Sequence, residues 1–574
     1  MYTVRGSAAF RKFGLLCPIL TGVKINHNQM SEKNIKNEKI DTSNLSLLYP
    51  TDEHRASAEE SASEGITEYT AEQLELYTLI DLNGYNIGDF FTSDRDVILY
   101  RQETFKDLSS HPELAELLKR LIPLIDDITE LRRIGSDPAF SAESYLYSIT
   151  EIELYTSVLS MLKESVLPLK DSLTSRAFKR LCEVVSTLTE SEYYKNINKQ
   201  LEELTSRVRE VKSVTIGVNL DSRLKAESAG VISVNNDKFK SGQLIDKILR
   251  LDFKSDEMTC IAPLTPFRRD QSENQQLALT YALSGALGDI FRSSVRSWKK
   301  VIQSYVLENT DFLIKMLPEI EFVTKATEMM ATLKENGCPL VYPEIAPFEE
   351  LTFEARGLCN PVVAIKLDES VVPNDFKFDS DGMIYVLTGP NRGGKSVITC
   401  AVGCAFAMAG LGLPVVAEKC VISPCDAVFT HFPQGSEDTI DKGRLGEECS
   451  RLEMIFDKVT SNSLVLLDES FSSTGAYEAS IIAGEVVSGF SAVGCCAIFS
   501  THLHDLAART AELNERCSEV GGVKIDNLVA EVDGSKRSFR ILRKSPDGKS
   551  YAADIAKKYG LSFDVIREKV KNNK

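Results

Sequence analysis

The sequence predicts a multidomain chain in which a mainly helical region is followed by an α/β layer with a largely parallel sheet. Three observations carry this. At 574 residues the chain is several times a typical domain of about 100–200 residues, so it needs several cores in series. Between about 103 and 210, apolar side chains recur at three- and four-residue steps. From Leu351 onward, short apolar runs alternate with longer helical stretches, as in sheets covered on both faces.

Residues 1–70 read as a flexible lead-in. The first 31 contain no acid but include Arg5, Arg11, Lys12 and Lys24, a composition shared with organellar targeting segments; they are read here as an extended start, with folding sequence beginning after Met30. Residues 31–70 are rich in Ser, Glu, Asn, Lys and Thr, with little periodic hydrophobicity.

Residues 71–345 read as a helical core. Leu114, Leu117, Leu118, Leu121, Ile125, Ile128 and Leu131 form one stripe, and Ile152, Tyr155, Leu159, Leu162 and Val166 a second. Pro123 and Pro168 are expected to kink or divide these helices. A small β-rich insert is expected at about 212–262, from Val214-Thr215-Ile216 and Val231-Ile232-Ser233-Val234 between glycines. Helical periodicity returns at about 274–335, where Arg292, Arg296, Lys299 and Lys300 lie away from the apolar stripe; solvation explains such a face, and phosphate contact is the other reading.

Residues 346–530 read as the α/β domain, with apolar strands at 383–387, 463–467 and 496–500, and 531–574 as a tail with short helices. Ser396 to Ala417 is uncharged over about the length of a bilayer crossing. Gly403, Gly410, Gly412 and Pro414 argue instead for a shorter buried helix ending near 410, and no membrane partner is expected.

The formal net charge is −17, so the overall field does not gather polyanions and any nucleic-acid contact must come from a local basic patch. Thirteen cysteines without a CxxC pair, two of them adjacent at Cys495-Cys496, fit a reducing, cytoplasmic setting with no disulfides and no zinc knuckle.

The chemistry sits in three strand ends. Gly389-Pro390-Asn391-Arg392-Gly393-Gly394-Lys395-Ser396 is a GxxxxGKS loop between an apolar strand and an apolar helix. Its backbone N–H groups can cradle phosphates, Lys395 can reach the β/γ-phosphates and Ser396 can ligate Mg²⁺. Leu464 to Leu467 ends in Asp468-Glu469, where Asp468 can hold Mg²⁺ and Glu469 can orient or deprotonate a water. Phe499-Ser500-Thr501-His502 ends the third strand, with His502 able to bond a γ-phosphate or the attacking water, while His504 reads as structural. ATP and Mg²⁺ are therefore the expected cofactors. Gly443-Arg444-Leu445-Gly446-Glu447-Glu448, preceded by Glu437-Asp438, reads as a capped helix start.

These residues resemble the ATPase domain of the DNA mismatch-repair MutS family, a branch of the ABC-type ATPases. The resemblance rests on Thr388 to Ser396, Ser463 to Glu469, Thr474 with Tyr477 and Glu478, and Ser500 to Leu506. It extends to Gly357-Leu358-Cys359-Asn360-Pro361 and to Ile525–Leu561 with Ser550-Tyr551; Asp94 to Leu108 is similar, more weakly, to the start of the family's core and lever domain, and Val214 to Val234 sits where the family inserts its DNA clamp. It implies a P-loop ATPase that dimerises into composite nucleotide sites, with levers that act on duplex or branched DNA.

Departures accompany it. The family's mismatch-reading and connector domains have no room ahead of the levers, and Phe348-Glu349-Glu350 is an FxE match beside the ATPase. Leu445-Gly446 stands where the family has a Ser-Thr pair facing the partner's nucleotide, and no nuclease-like extension is expected after 565. Two readings follow: an ATP-hydrolysing, dimeric DNA clamp that does not itself read mismatches, or a P-loop ATPase that remodels a protein or ribonucleoprotein assembly.

Overall fold

A computed structural model describes residues 41–61, 64–82, 84–135, 142–208, 213–220, 222, 226–235, 240–241, 259–260, 305, 310–367, 371–390, 392–432, 443–533, 536–545 and 565–567. All described residues belong to one compact unit, Lys39–Lys574.

Three short helices lead in: α1 (Asp52–Glu60), α2 (Glu68–Gln73) and α3 (Leu76–Leu79). The lead-in expected to be flexible is therefore folded from residue 41 on, and Leu47, Leu48 and Ile66 are buried in the main core. The apolar residues here are few and aperiodic, so the local pattern carries no signal. Long-range bonds hold the segment instead: buried Glu319 accepts from Ser46 Oγ and Leu47 N at 2.8 and 2.7 Å and from Arg55 at 2.6 Å.

The helical core comprises α4 (Arg95–Ser110), α5 (Pro112–Gly135), α6 (Ala142–Val166), α7 (Arg176–Glu190), α8 (Glu192–Val208) and α9 (Asp311–Glu335). Asp94 caps α4 by accepting from the N–H groups of Asp96 and Val97, and Ser175 caps α7 through Phe178 N. Arg132 of α5 joins α6 and α9, donating to Glu151 at 2.6 Å and to Asp311 at 2.5 Å. Pro123 does not divide its helix: α5 runs through it, with the ring on the exposed face. Pro168 falls in a 3₁₀ turn, Leu167–Leu169, that follows α6.

In the expected β insert, β1 (Ser213–Leu220) pairs antiparallel with β2 (Ala226–Asn235), and residues 240–241 pair parallel with 259–260. The basic face at Arg292, Arg296, Lys299 and Lys300 lies outside the described residues, as do Asn391, Glu437-Asp438 and Ser550-Tyr551.

Beyond α9 come β3 (Glu344–Ile345), β4 (Phe353–Leu358), β5 (Asn374–Phe378), β6 (Ile384–Thr388), α10 (Lys395–Gly410), β7 (Lys419–Ile422), β8 (Val428–His431), α11 (Gly443–Phe456), β9 (Leu464–Asp468), α12 (Ala476–Val493), β10 (Cys496–Ser500), α13 (His504–Ala508), α14 (Thr510–Ser518), β11 (Ile525–Asp533) and β12 (Lys536–Arg543). The main sheet has the order β8-β9-β10-β6-β11-β12, parallel except for β12. The boundary expected near 530 thus cuts through β11, because β12 pairs with it and extends the same sheet to Arg543.

Both faces of the sheet are covered, which explains its uninterrupted apolar strands. Tyr385, Leu387, Leu464, Leu466 and Ile498 pack in one core with α10, whereas the alternate residues Ile384, Val386, Val465, Leu467, Ala497 and Phe499 pack in a second with α12 and α14. A smaller sheet of order β3-β7-β4-β5 leans on α10 through Phe353, whose ring lies 4.9 Å from that of Phe406.

The uncharged stretch becomes α10, ending at Gly410 as expected, and among the described residues no helix is long and apolar enough to cross a membrane. Its glycines admit side chains from the segment between α2 and α4. A Cβ at Gly403 would lie 2.7 Å from Leu74, and one at Gly410 would lie 2.3 Å from Phe91. Arg101 of α4, fully buried, donates to Leu48 O at 3.2 Å, to Phe90 O, and to Gly410 O at the end of α10 at 3.4 Å.

Candidate functional site

The site lies along the carboxyl edge of β6, β9 and β10, where an open parallel sheet leaves room for a ligand. Register fixes the assembly: Asp468 stands opposite Ser500, and Ser500 opposite Leu387, so the loop after β6, the two acids and the Ser500–His502 segment emerge side by side.

After β6 the backbone turns through left-handed conformations at Gly389 (φ 145°), Arg392 (φ 60°) and Gly394 (φ 94°) before α10 begins at Lys395. At Gly389 a side chain is excluded by contact as well as conformation, since a Cβ would lie 2.6 Å from Ala530 Cβ on β11. Gly393 N donates to Pro390 O at 3.1 Å, closing the loop. Lys395 is buried and folds back over it, its Nζ donating to the carbonyls of Gly389 and Pro390 at 3.2 and 3.3 Å. Burial pulls its pKa below the ordinary lysine value, against the opposing attraction of Glu469 and Asp468. Ser396 is exposed in the first turn of α10. Asn360 also steadies this turn, donating to Val397 O at 3.2 Å while its Oδ1 caps the helix Pro361–Lys366.

Asp468 ends β9 buried, and its Oδ1 has no hydrogen-bond partner among the described residues. A buried carboxylate oxygen without a donor suits a cation. Glu469 follows at φ 50°, its N–H donating to Ser500 O at 2.8 Å. His502 Nε2 lies 2.8 Å from Glu469 Oε1 and the two side chains are each 39% exposed, so the histidine fixes one carboxylate oxygen at the rim of the site. Of the residues expected at the site, the structure brings together the loop, Lys395, Asp468, Glu469 and His502.

Sequence reading missed the groups that hold the acidic turn. His431, at the end of β8, shares a 2.7 Å hydrogen bond with Ser470 Oγ through Nδ1. Glu448 of α11 accepts from Phe471 N at 2.6 Å, and Phe471 itself is buried at φ 65°. Burial, helped by Arg451, pushes the His431 pKa down to about 4. The apolar run ending at His431 marks it as a strand end, but nothing local pairs it with Ser470. Leu445-Gly446 lies in the first turn of α11 and Thr474 Oγ1 donates to Glu478 at 2.9 Å.

The MutS domain V family model matches residues 385–574, and the MutS2 N-terminal domain model matches residues 93–336. The DNA mismatch repair protein MutS of Alkaliphilus metalliredigens is 34% identical over 215 residues, 36% of this chain and 23% of that protein. MutS of Thermotoga petrophila is 29% identical over 281 residues, 47% of this chain and 33% of the relative. Endonuclease MutS2 of Caldanaerobacter subterraneus subsp. tengcongensis is 32% identical over 202 residues, 34% of this chain and 24% of the relative. The chain thus spans between 23% and 33% of the length of these relatives. The helical region thus matches one domain model of the MutS group and the region of the phosphate loop another, and over these two stretches the chain is similar to MutS and MutS2 proteins.

Proposed function

We propose that the chain is a Mg²⁺-dependent ATPase of the MutS type that works as a dimeric, DNA-binding clamp. The observation that carries the reading is the convergence of buried Lys395, Asp468 with its unpartnered Oδ1, and the Glu469–His502 pair on one sheet edge. Lys395, whose Nζ rests on two loop carbonyls, exchanges them for oxygens of the β/γ-phosphates, while the free backbone N–H groups of the loop line the phosphate chain. Ser396 and Asp468 hold the magnesium ion, which when bound supplies positive charge to the phosphates. Glu469 takes the proton of the attacking water or orients it, and His502 holds the carboxylate in place.

We propose further that 71–345 acts as core and lever, with the β1–β2 insert as clamp, and that 346–530 is the ATPase, its sheet continued into the 531–574 tail. DNA is gripped by its phosphates rather than read for mismatches: residues 94–208 are helical in nearly every described position and present no mixed α/β domain in that span. The net charge of −17 favours the second reading, remodelling of a protein or ribonucleoprotein assembly.

Steady-state ATP hydrolysis, measured with and without duplex, branched and single-stranded DNA and with ribosomes, tests both readings. Stimulation by DNA, with binding that weakens by roughly 0.9 in log K per neutralised phosphate for each tenfold rise in salt, supports the clamp. Stimulation by ribosomes alone transfers the function to assembly remodelling. The Lys395→Ala variant is expected to lose nucleotide affinity by at least about 10–100-fold, the worth of a charge-assisted contact; unchanged binding of a fluorescent ATP analogue refutes the phosphate-loop assignment.

A further inference from the structure

The turn Glu469–Phe471 is built in a way that its own residues do not favour. Glu469 and Phe471 both adopt left-handed backbone, at φ 50° and 65°, where a glycine would sit without strain. Such a conformation persists only where the surroundings over-determine it. Here three separate elements do so: Ser500 O of β10 accepts from Glu469 N at 2.8 Å, His431 of β8 bonds Ser470 Oγ at 2.7 Å, and Glu448 of α11 accepts from Phe471 N at 2.6 Å. The Phe471 ring is fully buried in the core that holds Leu452 and Ile455 of α11.

We propose that Glu448 and His431 are positioning residues for the ATPase reaction, which clamp the 469–471 turn and thereby set where the Glu469 carboxylate stands. This rests on the ATPase reading above. Neither side chain belongs to the phosphate loop, and each reaches the turn from an element that carries no other site residue. Buried His431 stays neutral at working pH, so its bond to Ser470 persists there. Glu448 gives the clamp a route from outside the sheet: any shift of α11 is felt first at Phe471 N and next at Glu469.

The test compares Glu448→Ala, Glu448→Gln, His431→Ala and His431→Asn in the full chain, reading kcat, nucleotide affinity and melting temperature. Glu448→Ala and His431→Ala are expected to lower kcat about tenfold or more with ATP affinity unchanged. Glu448→Gln and His431→Asn, which keep an acceptor near the same place, are expected to restore most of it. The decisive measurement is Glu448→Ala in a Glu469→Gln background: a residue that works by placing Glu469 causes little further loss once that carboxylate is gone. Wild-type kcat in Glu448→Ala, or a full additional tenfold loss in the double variant, overturns the proposal. A wild-type chain that binds ATP and hydrolyses none overturns the ATPase reading itself, and the proposal with it.

Discussion

The phosphate loop and the acidic turn sit one strand apart on the same sheet edge and solve the same backbone problem in opposite ways. Both need left-handed residues to aim groups at a ligand. The loop places glycine at two of its three left-handed positions, 389 and 394, where such conformations are nearly free, with Arg392 the third, whereas the turn has no glycine, forces them on Glu469 and Phe471 and restrains them with bonds from β8, β10 and α11. Non-glycine residues in this region carry about 1–3 kcal/mol of strain each. The loop is therefore encoded locally, and the turn by its neighbours.

If that division holds, substitutions in the turn should affect turnover and those in the loop binding and stability. The largest effect is expected for Glu469→Gln, which keeps size and most contacts but removes the base: hydrolysis slows by about 10²–10⁴-fold while ATP still binds. Single-turnover hydrolysis together with equilibrium binding checks this. Sedimentation of the same variant with ATP and Mg²⁺ reads the composite-site proposal, for which a trapped dimer is the expected species and a persistent monomer the refutation.

Gly389→Ala probes the other side of the comparison. The new Cβ meets Ala530 Cβ at 2.6 Å and Ala530 N at 3.1 Å, in a conformation that alanine rarely adopts. Overpacking and backbone strain together suggest a loss of about 2–5 kcal/mol, because Ala530 lies buried in β11 and has no room to yield. Chemical denaturation should register it as a lower midpoint, along with weaker nucleotide binding. A fully stable variant that binds ATP normally would show that the close approach to β11 is dispensable.

The same contrast explains what was legible in the sequence. The loop, the acids and His502 were readable because each motif is contiguous and lies at the end of an apolar strand, a context carried by neighbouring residues. The helical stripes of α5 and α6 and the end of α10 at Gly410 were readable for a similar reason, through period and punctuation. The buried lead-in was not, since Leu47 is held by Glu319 on α9 and Leu48 by Arg101 on α4, both far away in the chain. Nor was the clamp: His431 and Ser470, and Glu448 and Phe471, meet only after the sheet has formed. Pro123 misled because a proline on an exposed helix face loses its hydrogen bond where water can replace it.

The smallest expected effect is a pH dependence that separates the clamp from the loop. His431 has a native pKa of about 4 against about 6.5 when unfolded, so on acidification the unfolded chain takes up a proton that the native state refuses. Stability on this account is intact above pH 6.5 and falls as the pH drops towards 4, by about 2 kcal/mol between pH 7 and 5. The cause is burial first, with Arg451 as the nearby cation that also disfavours the imidazolium. His431→Asn cannot titrate and should lose that part of the slope, while carboxylates that titrate in both proteins cancel in the comparison. Urea denaturation of the two proteins at pH 7 and pH 5 measures the difference. Equal slopes would mean that native His431 takes up a proton as readily as the unfolded chain does, and burial would then not be what keeps this imidazole neutral below pH 6.5.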